Sequence, residues 1–279
     1  MPEGDTILRA AAALHRALAG HVVTRFESVY PAVNRVAEDR IIIGRTVESA
    51  FARGKHLLVA FSGDLALHTH MRMNGSWHLY RAGERWKRPA RDMRVLIATA
   101  TVEAVGFNVP VAELLTTRDI ARHRELGALG PDLLDAAFDA AEAVRRMRAR
   151  PADAVGDVML NQRVMAGIGN MFKSEVLFLA GVDPFAPVSA LADPDLERIV
   201  AVAREQLGAN VMTRAQTLSR SIERTTTRSL DPNSRLWVYG RGGKRCRRCG
   251  GAIESRKTGI DARLTYWCPR CQPARRAGE

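Results

Sequence analysis

Apolar positions at the start of the chain repeat with a helical period. They follow one another at spacings of four, three and four between residues 5 and 19, as on one face of an amphipathic helix. These positions are Ile7, Ala11, Leu14 and Leu18. Gly20 follows, and glycine commonly ends helices. The pattern therefore predicts a leading helix with one buried face.

The pattern changes to short β-prone runs between about residues 21 and 111, with glycines between them. The runs are Val22–Tyr30, Ile41–Ala50, His56–Phe61, Leu65–His70, Ser76–Tyr80 and Arg94–Val105. We expect a β-sandwich or a partly closed barrel, with the leading helix packed against it.

Helical periodicity returns beyond residues 127–132, a stretch with glycine and proline that we interpret as a domain junction. Apolar spacing predicts helices at Asp132–Arg148, Asp153–Leu160, Met171–Ala180 and Pro194–Met212. The polar residues 213–232, rich in Arg, Ser and Thr, are expected to form a loop or linker.

All four cysteines lie in the last 34 residues, as two Cys-x2-Cys pairs with 18 residues between them. The four positions are Cys246, Cys249, Cys268 and Cys271. This spacing predicts one structural Zn²⁺ held by four thiolates, on a zinc ribbon whose hairpin covers Ile253–Trp267. A redox or disulfide function is the alternative, and a cytoplasmic chain disfavours it.

The chain is basic, and its charge is unevenly distributed. Lys and Arg number 42 against 30 Asp and Glu in 279 residues, a formal net charge of +12. Residues 235–276 alone hold twelve basic and two acidic residues, a net of +10. This concentration predicts a polyanionic partner. No stretch has the roughly 20 apolar residues of a membrane span, and the N-terminus is unlike a secretory signal, so we expect a cytoplasmic protein.

The first residues, Met1-Pro2-Glu3-Gly4, allow two interpretations. If Met1 is removed, Pro2 presents a secondary amine, and α-amino groups titrate at about 7.7–8.0. Such an amine can attack an aldehyde carbon to form an iminium, while Glu3 transfers protons. Alternatively, Pro2 occupies the first turn of a helix and Glu3 interacts with the helix dipole.

Two short stretches of the β-rich half carry further candidates. Lys55 follows a glycine turn and starts a strand, so it is either a solvated strand end or a charge placed at a site. Arg72 lies between two exposed-looking methionines, of which Met73 is nearer to a glycine turn. A methionine there either fills the core or forms an apolar wedge that enters a base stack.

Two further patterns are less specific indicators of a binding site. His68 and His70, at a spacing of two, suggest a metal, but no third ligand lies nearby in the sequence and we reject that site. The Gly-x-Gly-Asn turn that ends at Asn170 precedes a predicted helix and can present backbone N–H groups to a phosphate. The same turn is also common as a purely structural feature.

Four separated stretches together resemble the formamidopyrimidine-DNA glycosylase and endonuclease VIII family. They are Met-Pro-Glu-Gly at 1–4, Arg-Gly-Lys-His-Leu at 53–57, Asn-Gln-Arg-Val-Met-Ala-Gly-Ile-Gly-Asn at 161–170, and the cysteine-containing motif at 238–272. The resemblance covers nearly the whole chain in the family's order. Only the first and last motifs are specific alone, but together the four favour the catalytic interpretation of Pro2.

The resemblance implies an α+β multidomain fold in three parts. It places an N-terminal β-sandwich with a leading helix at residues 1–130, a helix-two-turn-helix domain at 131–228 and a C-terminal zinc finger with a β-hairpin at 229–279. The implied partner is damaged DNA, duplex or partly single-stranded, held in a cleft between the lobes. We expect a monomer without membrane association, in the cytoplasm at the bacterial nucleoid.

The resemblance also implies a bifunctional DNA glycosylase and abasic-site lyase of base excision repair. Such an enzyme flips a damaged base out of the duplex, attacks the deoxyribose C1′ and cuts the strand by β,δ-elimination. The matching residues are Pro2 as the nucleophile, Glu3 as the acid/base, Lys55 at the damaged site, Asn170 and Arg263 on phosphates, and Met73 beside Arg72 as the void-filling residue.

Departures from the family pattern bear on the substrate. Asp5-Thr6 replaces the more usual Pro-Glu beside the pocket, and Gly106–Glu113 lacks the Arg-Arg-Phe wedge of the purine-repairing branch. The loop Ser219–Ser234 is also too short for a purine-capping loop. We therefore expect the endonuclease VIII branch and oxidised pyrimidines such as thymine glycol or dihydrouracil. The alternatives are a glycosylase for 8-oxoguanine and formamidopyrimidine, an inactive damage-binding protein, and a zinc-ribbon transcription or translation factor.

Overall fold

The structure is a computed structural model that describes residues 2–212, 224–229, 231–259 and 262–275. Met1, residues 213–223 of the expected polar loop and part of the finger hairpin turn lie outside the described residues. The described chain divides into two compact units, one up to residue 128 and one from residue 129 onward. No helix among the described residues is long and apolar enough to cross a membrane.

The first unit begins with the expected leading helix, which is followed by strands and two short helices. The elements are α1 (Gly4–Leu18), β1 (Arg25–Ser28), α2 (Pro31–Arg40), β2 (Val47–Arg53), β3 (His56–Phe61), β4 (Leu65–His70), β5 (Ser76–Arg81), β6 (Met93–Ala98), β7 (Val102–Phe107), β8 (Val111–Leu115) and α3 (Thr117–Arg122).

These strands form two antiparallel four-stranded sheets, in the orders β1-β6-β7-β5 and β2-β3-β4-β8. One apolar core contains side chains of both sheets, and the buried face of α1 packs into it against β2 and β3. In the second sheet Leu58 pairs with His68, and His68 pairs with Glu113 across β3, β4 and β8. The expected β-sandwich with a leading helix is confirmed.

Several element boundaries differ from those expected. The strand expected at 41–50 begins only at Val47, because Ile41 and Gly44 have positive φ angles of 25° and 90° that interrupt extended backbone. The run at 94–105 is two strands, since the chain turns after Ala98. Pro31 starts a helix that the β-prone pattern around it did not reveal.

The second unit contains four helices and one β-hairpin in its described part. They are α4 (Ala140–Arg148), α5 (Val155–Leu160), α6 (Asn170–Ala180), α7 (Asp193–Met212), β9 (Glu254–Thr258) and β10 (Arg263–Trp267). The helix expected from Asp132 begins only at Ala140. Asp132 and Asp135 instead accept backbone N–H bonds two residues ahead and form turns, and Asp139 caps α4.

A fully buried carboxylate on α6 ties the helices to the finger segment. Glu175 accepts hydrogen bonds from the backbone N–H groups of Trp237, Val238 and Tyr239 at 2.7–2.8 Å, and from the Thr226 hydroxyl. A backbone segment without regular structure thereby has its buried N–H groups satisfied. The finger is fixed to α6 within this unit.

Candidate active site, nucleic-acid interface and metal centre

The N-terminal residues stand in front of α1 and do not belong to it. Glu3 is the N-cap residue, and its carbonyl accepts hydrogen bonds from the N–H groups of Thr6 at 2.9 Å and Ile7 at 3.1 Å. Its side chain is fully buried, whereas Pro2 is partly exposed. The interpretation that Pro2 occupies the first helical turn is therefore wrong. Pro2 lies outside the helix, next to a buried carboxyl group.

Lys55 lies in the tight turn between β2 and β3. Gly54 in this turn has a φ of 59°, a left-handed conformation that glycine adopts without strain. The turn is closed by the pairing of Arg53 with His56. Only 9% of Lys55 is exposed, so the interpretation as a solvated strand end is wrong.

The loop after β4 presents one methionine and buries the other. Met73 is 63% exposed, whereas Met71 is 2% exposed and packs in the core of the first unit. The expectation that both methionines are exposed is thus wrong for Met71. Arg72 has a φ of 48° at the tip, and the Gly75 N–H donates to the Met71 carbonyl at 2.9 Å to close the turn. Met73 and Arg72 are therefore held at the end of a tight loop.

A hydrogen-bonded cluster of imidazoles and one carboxylate lies behind these loops. The His56 Nδ1 and His68 Nε2 atoms are 2.8 Å apart, and His68 Nδ1 is 2.8 Å from Glu113 Oε2. His123 Nε2 approaches the same oxygen at 3.0 Å. Sequence reasoning missed this cluster because it considered only the neighbours of His68 and His70. The antiparallel register of β3, β4 and β8 brings the cluster together.

Burial lowers the pKa values of His56, His68 and His70 and so favours their neutral forms. Burial lowers the pKa of His56 to about 2, helped by the nearby His70 and His68. Burial, followed by the positive charges of Arg72 and Lys55, lowers the pKa of His70 to about 4. Burial also lowers the pKa of His68, against the opposing effect of Glu113. Although burial would raise it, hydrogen bonds from His68 and His123 hold the pKa of Glu113 below its usual value.

The glycine turn before α6 is rigid and contacts the finger hairpin. The Gln162 side chain accepts from the Gly167 N–H at 3.1 Å and donates to the Ile168 carbonyl at 3.0 Å. Asn170 is the first residue of α6, and its Nδ2 donates to the carbonyl of Leu264, next to Arg263, at 2.8 Å. Its buried Oδ1 has no hydrogen-bond partner among the described residues. The structure therefore brings the turn next to the hairpin end that carries Arg263.

Some of the arginines concentrated in the finger have structural partners. The Arg248 guanidinium lies 4.5 Å from the ring centre of Phe178, and that of Arg256 lies 3.9 Å from the ring centre of Phe185. Both are cation–π distances. Arg247 donates to backbone carbonyls of the preceding segment. These three arginines thus help to hold the finger in place, so not every basic residue of the finger is available to bind a polyanion.

The four cysteines converge on one point. Their sulfur atoms all lie within 4.8 Å of one another, with Cys246–Cys271 at 3.9 Å and Cys249–Cys268 at 3.5 Å. Four sulfurs at about 2.3 Å from a tetrahedral zinc would be about 3.8 Å apart, so the set fits this metal. None is disulfide-bonded. A backbone N–H of Gly251 lowers the pKa of Cys249 to about 7, whereas burial raises the pKa values of Cys268 and Cys271, so the fit to a metal rests on the positions of the four sulfur atoms.

Three family models match the sequence. The formamidopyrimidine-DNA glycosylase N-terminal domain matches residues 1–110, and the H2TH domain of the same glycosylase matches residues 129–222. A zinc finger found in FPG and IleRS matches residues 243–274. The three matches follow one another along the chain and together cover most of it.

Curated relatives match over the full length of the chain. "Probable endonuclease 8 2" of Streptomyces coelicolor is 43% identical, over 100% of this chain and 97% of that protein. "DNA-(apurinic or apyrimidinic site) lyase Nei2" of Mycolicibacterium smegmatis is 38% identical, over 98% of this chain and 100% of that protein. "Endonuclease 8" of Klebsiella pneumoniae is 32% identical, over 98% and 100%.

Solved structures share the fold. The complex between the Lactococcus lactis Fpg and an abasic site containing DNA has a TM-score of 0.82 at 22% identity, covering 98% of this chain and 100% of that one. A structure of MutM with carbocyclic 8-oxo-G containing DNA gives the same TM-score at 22% identity, over 98% and 100%.

Acidification is expected to destabilise the first unit through His56. Its pKa is about 2 in the folded protein, against about 6.5 unfolded, so the unfolded state takes up the proton first as the pH falls. The free energy of unfolding should fall from pH 6.5 downward, with His56 contributing about 2 kcal/mol between pH 7 and pH 5. The measurement is urea unfolding at both pH values for the wild type and His56→Asn, whose Nδ2–H retains a donor towards His68.

His56→Asn should lose the contribution of His56 to the pH dependence of the free energy of unfolding. Some pH dependence should remain, because the pKa values of His68 and His70 are also lowered. The exposed His21 provides the matched control, and His21→Asn should behave like the wild type. Equal pH dependence in all three proteins would contradict a neutral, buried His56.

Proposed function

The chain belongs to the formamidopyrimidine-DNA glycosylase and endonuclease VIII family, and from that premise we propose that it excises oxidised pyrimidines, with Pro2 as the nucleophile. It is a DNA glycosylase and abasic-site lyase of base excision repair. The observation that carries the proposal is the position of Pro2, outside α1 and next to the fully buried Glu3. A catalytically inactive relative would have no need to keep this pair.

In the proposed reaction the unprotonated Pro2 nitrogen bonds to the deoxyribose C1′ as the bond from C1′ to the base breaks. The base leaves with the bonding electrons and takes up a proton. Opening of the sugar ring converts the adduct to an iminium, which is the electron sink for the next steps. Glu3 is the group that supplies and accepts protons at this centre, because it is the carboxyl adjacent to Pro2 in the chain.

Strand cleavage then follows from the iminium. Loss of a C2′ proton pushes electrons towards the positive nitrogen, and the 3′ phosphate departs by β-elimination. A second, δ-elimination releases the 5′ phosphate. We assign to Lys55 a contact with the damaged nucleotide and its backbone, because residues 53–57 match the family's motif and the left-handed Gly54 places Lys55 in a tight turn.

The preference for pyrimidines rests on the two loops that could fill the void left by the flipped base. In the turn between β7 and β8, Phe107 and Val109 are completely buried, and the Val109 carbonyl accepts a hydrogen bond from the Tyr30 hydroxyl. The exposed apolar residue of that turn is Pro110, and the turn has no long apolar side chain to insert. Met73, exposed at the tip of its loop beside Arg72, supplies the wedge in our proposal.

DNA backbone contacts are assigned to the second unit. Asn170 and Arg263 lie on elements that are packed together, so they can bind neighbouring phosphates. One Zn²⁺ bound by the four cysteines has a structural function, since four protein ligands leave no open position for water. The expectations of a monomer, of a location at the nucleoid and of domain boundaries at 130 and 228 stay predictions.

Borohydride reduction in the presence of abasic DNA is expected to link the protein covalently to the DNA through Pro2. Reduction converts the iminium to a stable amine, and peptide mass spectrometry locates the bond. A preparation that retains Met1 has no Pro2 amine and should give no adduct. An adduct on Lys55, or full cleavage by protein that retains Met1, would refute the assignment of the nucleophile.

A panel of duplexes that each carry one oxidised base tests the substrate class. We expect excision of thymine glycol and dihydrouracil to be faster than excision of 8-oxoguanine, because of the two loops compared above only that of Met73 exposes a long apolar side chain. The measurement is single-turnover release of each base, with a plain abasic duplex as the control for the lyase step. Faster release of the purine lesions would assign the chain to the other branch.

Replacing Cys268 with Ser should lower the zinc content from one ion per chain and unfold the finger, because structural zinc binding is coupled to folding. Zinc is measured by elemental analysis and finger folding by dispersion of its amide resonances. Ser255→Ala, at an exposed position of β9, is the matched control and should leave both unchanged. Unaltered zinc content in Cys268→Ser would exclude the four-cysteine site.

A further inference from the structure

The reaction described above assigns no function to the cluster of His56, His68, Glu113 and His123. We infer that Glu113 is a positioning residue for that reaction: through His68 it fixes the His56 ring and, with it, the turn that carries Lys55. The inference rests on the proposed function, because the position of the turn affects the reaction only if Lys55 contacts the damaged nucleotide.

The His123 tautomer is set by the backbone. Its Nδ1 accepts hydrogen bonds from the N–H groups of Glu125 at 3.3 Å and Leu126 at 3.2 Å. A ring nitrogen that accepts hydrogen bonds carries no proton, so the N–H of His123 is on Nε2. That N–H donates to Glu113 Oε2 at 3.0 Å and holds the carboxylate in place.

The carboxylate then sets the direction of the remaining bonds. Glu113 is ionised and can only accept, so His68 donates from Nδ1 at 2.8 Å. The Nε2 atom of His68 must therefore accept, and its partner at 2.8 Å is the Nδ1–H of His56. One anionic oxygen thus determines the tautomer of two buried rings in succession. Without an acceptor at position 113, either tautomer of His68 becomes possible.

His56 connects this chain of bonds to Lys55. It is the first residue of β3 and immediately follows Lys55, and its pairing with Arg53 closes the turn. Its ring also meets the edge of His70, with 4.8 Å between the ring centres. The positive charge of Lys55 lowers the pKa of His70, so Lys55 lies near the ring that His56 contacts. A rotated His56 would disturb both the turn and this contact.

A bound metal ion is the competing explanation of the same atoms. Single ligand atoms of His68, Glu113 and His123 all lie within 4.8 Å of one another. Coordination through His123 Nε2, however, would require a proton on Nδ1, where two backbone N–H groups already point. The hydrogen-bonded arrangement satisfies every donor around that ring, so we favour it over a metal site.

The test compares two changes at Glu113 with a matched carboxylate elsewhere in the unit. Glu113→Leu removes the acceptor at similar volume, whereas Glu113→Gln keeps an oxygen that can accept both imidazole N–H groups. Glu103, which accepts from Arg25 at 3.2 Å and Trp86 at 2.8 Å, provides the control Glu103→Leu. Single-turnover cleavage of abasic DNA at saturating protein reports the bound complex.

Glu113→Leu is expected to slow cleavage about 10-fold to 100-fold, the range for a small displacement of a catalytic group. Glu113→Gln should recover most of the rate, and Glu103→Leu should cleave like the wild type at temperatures where it is folded. In a Lys55→Ala background, Glu113→Leu should add little further loss. Equal losses in the two Leu variants, or losses of Glu113→Leu and Lys55→Ala that multiply, would overturn the inference.

Two readouts do not depend on activity. Long-range ¹H–¹⁵N spectra should show Nδ1–H tautomers for His56 and His68 and Nε2–H for His123, with the His68 signal changed in Glu113→Leu. Zinc content should be the same in the wild type and Glu113→Gln. Other tautomers in the wild type, or an ion lost in Glu113→Gln, would overturn the inference. A wild type that shows these tautomers yet cleaves no DNA would refute the proposed function instead.

Discussion

The packing of one face of α1 on the sheet β2-β3-β4-β8 is the interaction on which the N-terminal site depends. Ile7, Leu14 and Leu18 are at most 1% exposed, and burying each of them contributes about 1.5–3 kcal/mol. A 15-residue helix is marginal in water without such contacts. Because the helix is fixed, the backbone of its N-cap residue Glu3 is fixed as well. Pro2 directly precedes Glu3 in the chain, so the position of Pro2 is also restricted. The residue that we propose as the nucleophile thereby gains a defined position, although chain termini are poorly ordered in most proteins.

The second unit solves a comparable problem with polar groups. Its finger is too small to have a large core of its own, and its zinc site fixes only its own two cysteine pairs. Glu175 supplies the connection, since one buried carboxylate satisfies three consecutive backbone N–H groups. Arg248 and Arg256 add cation–π contacts on Phe178 and Phe185. Arginine suits both tasks because its planar group stacks on rings and remains charged, so one composition supports both folding and binding of a polyanion.

The accuracy of sequence reasoning followed how local each signal was. The α1 periodicity and the cysteine spacing depend on near neighbours, and both predicted the structure that is observed. The helix expected from Asp132 was wrong because two aspartate side chains compete for the backbone N–H groups and delay the helix to Ala140. His68 and Glu113 are 45 residues apart in sequence. Their pairing depends on the strand register, which the sequence pattern does not specify. The hydrogen bonds of Glu175 to residues 237–239 could not be predicted either, because they join residues that are more than 60 positions apart in sequence.

The two kinds of basic side chain in the first unit have separate functions. A protonated imidazole buried near Arg72 and Lys55 would add repulsion to the cost of desolvation, and the low pKa values of His56 and His70 show that the fold avoids this state. In our proposal the positive charge offered to a phosphate backbone therefore comes from Lys and Arg, whose ordinary pKa values lie far above neutral pH, and not from these two imidazoles. In our proposal His56 and His68 act as donors and acceptors of fixed direction, and because burial lowers the pKa of both, neither adds a positive charge beside Lys55. The geometry of the turn that carries Lys55 then depends on each of these two rings keeping its tautomer.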